Sequence, residues 1–163
     1  MSPSLQTLVA RAQSLLDRLG WLGPLLVRIS LASIFMVTGW GKLHDLGKVT
    51  GFFTELGIPW PALNATVVAS IELVGGSLVL VGLFTRLACL PLAFSMLIAI
   101  LTAKRGDVDG LATLFAFNEF TYLACFVWLA VAGAGAISLD RLLFARWLKR
   151  GPGRPVPAAS EQA

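Results

Sequence analysis

The stretch ASIELVGGSLVLVGL places one carboxylate, Glu72, in a run otherwise made of aliphatic and small residues. An ionisable group in that setting can take up or pass on a proton, or hold an opposite charge in place. Arg28, within LLVRISLASIF, supplies an opposite charge. Further polar groups gather at two segment ends: Lys42, His44 and Asp45 in GKLHD, and Asn118 and Glu119 in FNEF, with Tyr122 one turn beyond. Metal chemistry has little to work with. There is one histidine, and Cys89 and Cys125 lie in separate apolar runs with no C-x-x-C, so both read as small core residues.

The elements that must position these groups are membrane helices. Of 163 residues, 56% are hydrophobic and 13% charged, and the mean hydropathy is +0.79. Soluble domains carry about a quarter charged residues. The expected fold class is all-α: an integral membrane four-helix bundle with short amphipathic flanking helices. Four segments approach the roughly 20 residues a bilayer requires: 22–40, 62–83, 87–103 and 117–137. The expected organisation is an N-terminal amphipathic helix at 1–20, a four-span domain at 21–138, a basic interfacial helix at 139–150 and a disordered tail at 151–163. MSPSLQTLVARAQSLLDRLGW has no uninterrupted apolar core followed by a cleavage site, so the first span is expected to direct insertion itself.

Basic residues set the expected orientation. With both termini cytoplasmic, Arg11, Arg18, Arg86, Arg141, Arg146, Lys149, Arg150 and Arg154 lie inside, against Lys42, Lys48, Lys104 and Arg105 outside. Their scatter over segment ends argues against a nucleic-acid partner. The net charge of +4 suits an anionic leaflet.

By helical rise Glu72 lies roughly 16 Å into its span, near mid-membrane. An acidic residue there costs about 2.5 to 3.5 kcal/mol on insertion scales, which the eleven Leu, Ile and Val residues of the span offset. Ala65, Ala69, Glu72 and Gly76 share a helical face with Gly75 beside it, so Glu72 is expected to face other helices. Arg28, roughly 9 Å deep, either bridges to Glu72 or snorkels to the headgroups. Arg28, Ala32, Phe35, Gly39 and Lys42 form a similar stripe. Ser95, Ala99 and Thr102 give the third span a small, partly polar face. Lys42, His44, Asp45, Asn118 and Glu119 are expected to form a polar mouth above Glu72, lined by Tyr122 and Phe126. Alternatively, the buried charges only lock helix register.

Taken in order, LLVRISLASIFMVTGWGKL, IELVGGSLVLVGLFTRLACLPLAFSML and GAGAISLDRLL resemble the DoxX family of small four-span membrane proteins, over residues 22–144. The resemblance implies a four-helix membrane bundle in which Arg28, Gly39, Lys42, Glu72, Gly75, Gly76, Gly82 and Arg86 are characteristic. It also implies a bacterial-type inner membrane. The family is functionally mixed, with links to quinone-coupled sulfur oxidation, oxidative-stress defence and metal or cofactor handling.

Two functions compete. In the first, the chain is an accessory subunit of a membrane redox system and binds a quinone or similar amphiphile in its bundle. Glu72 then acts as proton relay, while Arg28, Lys42, His44, Glu119 and Tyr122 contact the ligand and Gly39, Gly75 and Gly76 pack the helices. No covalent cofactor is expected, and any electron carrier is the quinone itself or a partner redox or stress protein. In the second, the chain is a non-enzymatic scaffold or small transporter, working beside a stress-response or metal-handling system. Four spans make a small transporter, so that reading favours a homo-oligomer.

Overall fold

A computed structural model describes residues 3–143, all helical or irregular with no strand among them. Helix α1 (Pro3–Leu19) leads through Gly20 and Trp21 into α2 (Leu22–His44). Leu8, Leu15 and Leu16 of α1 are exposed. Then follow α3 (Leu46–Glu55), α4 (Pro61–Val81), α5 (Thr85–Thr102), a 3-10 turn at Arg105–Asp107, α6 (Leu111–Ala116) and α7 (Asn118–Ala132). A helical turn covers 139–143. The expected basic helix at 139–150 therefore runs beyond the described residues, and the expected tail at 151–163 lies wholly outside them.

Three helices are long and apolar enough to cross a membrane, and α7 is a shorter apolar helix. The molecule is thus an all-α membrane bundle. α7 spans about 22 Å by helical rise, less than the roughly 30 Å hydrocarbon core. The fourth span was expected to continue to residue 137, but the helix stops at Ala132. Gly133 (φ +85°) and Gly135 (φ +79°) take left-handed backbone conformations there, which residues with a Cβ rarely adopt. The following segment turns back towards the α4–α5 junction, where the Asp140 N–H donates to the Gly82 carbonyl at 2.9 Å.

The bundle is two helix pairs, α2 on α4 and α5 on α7, joined by contacts between α4 and α5. The α2–α4 pair is held close by reciprocal glycines. A Cβ on Gly39 would stand 2.5 Å from Leu73 N and 3.0 Å from Ala69 O, and one on Gly76 would stand 3.1 Å from Met36 N. Close backbone approach through small residues substitutes for the hydrophobic drive that lipid does not supply. Leu31, Phe35, Val79, Leu92, Phe126 and Leu129 fill the core. Phe35 meets Phe126 edge-on at 4.9 Å between ring centroids.

Candidate functional site

Glu72 is the twelfth residue of the 21-residue α4 and lies on its buried face with Ala65, Ala69, Gly75, Gly76 and Val79. Only 2% of it is exposed. Thr38 and Lys42 stand one turn apart on α2 and both reach it. Lys42 Nζ lies 2.5 Å from Glu72 Oε1, and the Thr38 hydroxyl donates to Oε2 at 3.1 Å. A buried carboxylate is tolerable when paired and hydrogen-bonded, and both conditions hold here.

The expected Arg28–Glu72 bridge does not form, nor does Arg28 snorkel. Arg28 is 2% exposed, and among the described residues its guanidinium donates only to backbone carbonyls: Nε to Val79 at 2.9 Å, Nη2 to Leu80 at 2.7 Å, and Nη1 to Ala134 at 2.7 Å and Ile137 at 2.6 Å. Val79 and Leu80 belong to the last turn of α4, where carbonyls lack the N–H four residues on and the helix dipole favours a cation; Val79 also accepts from the Gly82 N–H at 3.2 Å. Asp140 does the converse for α5. Its carboxylate accepts from the Phe84 and Thr85 N–H groups at 2.7 and 3.2 Å, at the end where orphan donors favour an anion. Arg28 and Asp140 together fix the α4–α5 turn against the segment after α7.

Glu72 and Lys42 line a cavity of about 830 Å³ between α2, α3, α4 and α5. Its walls are largely apolar, with Phe52 and Phe53 from α3, Val68 and Ile71 from α4, and Phe94 and Ile98 from α5. Phe94 and Ile98 are exposed. Thr38, Asp45, Lys48, Asn64, Ser95 and Thr102 supply the remaining polar lining.

The expected mouth is only partly assembled. Lys42 and Asp45 line the cavity; His44, Asn118, Glu119, Tyr122 and Phe126 do not. His44 donates from Nδ1 to the Trp40 carbonyl at 2.9 Å, and its ring lies tilted at 44° against the Trp40 ring, 4.3 Å between centroids. Glu119 sits in the first turn of α7, and Tyr122 packs edge-on against Phe35 at 5.5 Å. α7 pairs mainly with α5, which directs these residues away from the cavity. Gly75 faces the Leu92 side chain across the α4–α5 contact. Both cysteines are free, and no cluster of three or more His, Cys, Asp or Glu that could hold a metal occurs among the described residues.

Helix α3 was missed by the sequence reading, although a signal was present. Asp45 caps it, Oδ1 accepting from the Lys48 N–H at 3.2 Å, and Leu46, Val49, Phe53 and Leu56 follow at helical spacing.

Comparison with known proteins agrees with this architecture. The DoxX family profile matches residues 23–105. The chain belongs to the DoxX family. Among its curated DoxX relatives, "Inner membrane protein YqjF" of Escherichia coli is 30% identical over 77% of this chain and 95% of its own. "Putative oxidoreductase CatD" of Bacillus subtilis is 36% identical over 76% of this chain and 88% of its own. "Uncharacterized membrane protein Rv3486" of Mycobacterium tuberculosis is 32% identical over 74% and 80%. No solved structure matches this DoxX chain.

Proposed function

We propose that this DoxX protein is an accessory subunit of a bacterial inner-membrane redox system, binding a quinone or similar amphiphile in the cavity between α2, α3, α4 and α5. The observation that carries the reading is the Lys42–Glu72 ion pair on the wall of an otherwise largely apolar cavity of about 830 Å³. A quinone needs apolar walls for its tail and proton-exchanging groups at its head. Lys42, whose ammonium has donors beyond the one given to Glu72, donates to the head oxygen. Glu72 passes the protons, while a partner redox or stress protein supplies the two electrons that, with two protons, convert quinone to quinol. The oxidoreductase name of the Bacillus subtilis relative supports this direction. Both termini face the cytoplasm, as the distribution of basic residues favours.

Quinone extracted with the protein and its native lipids tests the reading. Enrichment over bulk lipid is expected in wild type, with loss in a folded Glu72→Gln variant. No enrichment in wild type overturns it.

A second reading, a non-enzymatic scaffold or transporter, is favoured by one observation. The ion pair lies beside the Gly39 crossing, where it would hold the register of α2 on α4. A Glu72→Gln variant that fails to accumulate, with no quinone enriched in wild type, supports this alternative.

A further inference from the structure

We infer that Ser95 on α5 is a second headgroup contact, so that the cavity selects a flat ligand with polar oxygens at two opposed edges over one with a single polar end. This rests on the amphiphile-binding reading above and specifies the class of ligand. Three observations carry it. First, Ser95 lines the same cavity as Glu72, Lys42 and Thr38, but from α5. Second, the levels match. Glu72 lies nine residues before the end of α4, and Ser95 ten residues after the start of α5. Measured from the turn that joins these helices, both are about 14 to 15 Å deep.

Third, the Ser95 hydroxyl has no hydrogen-bond partner among the described residues. Five helix hydroxyls of this bundle do: Ser33, Thr66, Ser70, Ser77 and Thr102 each donate to the carbonyl four residues earlier, whereas the Thr85 hydroxyl, also without a partner, is buried at the start of α5 and lines no wall of this cavity. That is the ordinary way for Ser and Thr to satisfy themselves in a membrane helix. A hydroxyl left free on a cavity wall at mid-membrane is available to a ligand, since hydrocarbon offers it nothing.

A ligand with one polar end satisfies the Lys42–Glu72–Thr38 group alone. A ring carrying two carbonyl oxygens, as a para-quinone does, presents the second oxygen to Ser95. The acceptor at the far edge decides between the two classes.

The test measures binding of a short-chain ubiquinone analogue and of a long-chain fatty alcohol to purified protein in lipid nanodiscs, comparing wild type with Ser95→Ala. Alanine keeps the helix and removes only the hydroxyl. The expected result is quinone affinity about five- to tenfold weaker in Ser95→Ala, the worth of one hydrogen bond, with alcohol binding unchanged. Equal quinone affinity in both proteins overturns the role of Ser95 while leaving the cavity reading in place. No quinone binding in wild type overturns both. A parallel loss of alcohol and quinone binding in Ser95→Ala also overturns the inference, because it marks a change in cavity shape. Circular dichroism and elution volume confirm that the variant is folded.

Discussion

Lys42 and Glu72, thirty residues apart in sequence, meet at 2.5 Å across the α2–α4 contact. Lys42 keeps about a third of its side chain exposed, whereas Glu72 is buried. Removing Lys42 therefore leaves a carboxylate with only Thr38 beside it. Lys42→Met is expected to lower stability by about 2 to 4 kcal/mol, and adding Glu72→Gln to recover part of the loss. Thermal unfolding of both single variants and the double variant in detergent checks this. Purely additive losses would show the two groups to be uncoupled.

Arg28 donates to four carbonyls on two separate segments. Lysine carries its donors on a single nitrogen and cannot match that fork. Arg28→Lys is expected to cost about 2 to 4 kcal/mol, and Arg28→Ala to prevent accumulation of folded protein. Fluorescence-detected size exclusion after a heating series reads both effects. A lysine variant as stable as wild type would overturn the clamp.

At Gly39 the atom that an added Cβ would strike is backbone, Leu73 N, so only separation of the helices relieves the clash. Gly39→Ala should destabilise by about 1 to 3 kcal/mol. Gly41, two residues on, has nothing within 4 Å of its would-be Cβ. Gly41→Ala should be neutral, or more stable by up to about 1 kcal/mol through helix propensity. The difference in melting temperature between the two alanine variants measures how tight the crossing is.

Asp140 caps α5 from the segment after α7. Asp140→Ala is expected to cost about 1 kcal/mol, and Asp140→Asn less, because the amide oxygen still accepts. Hydrogen exchange at the Phe84 and Thr85 amides should quicken in the alanine variant. Unchanged protection there would show that the cap is dispensable.

The helices and their membrane setting were legible in sequence because they depend on local composition and period. The run from Ala65 through Ala69 and Glu72 to Gly76 carries its own evidence of a buried face: small residues at helical spacing around a charge that hydrocarbon would reject. α3 was missed, although its Asp45 cap and apolar spacing carried a signal for it. The early end of α7 was harder to read. GAGAISLD is apolar enough to prolong a span, and only the left-handed glycines and the carbonyls taken by Arg28 reveal the break.

Which charge meets Glu72 could not be decided by sequence. Arg28 and Lys42 lie on the same stripe of α2, and helical rise alone puts Arg28 within plausible reach. The choice depends on the relative height of α2 and α4, set by Gly39 against Leu73 and Gly76 against Met36. It depends equally on the segment after α7, which brings the Ala134 and Ile137 carbonyls to Arg28 from more than a hundred residues away. Periodicity within one helix fixes which side a residue faces. Its partner is fixed by contacts between helices, whose offset no local pattern encodes.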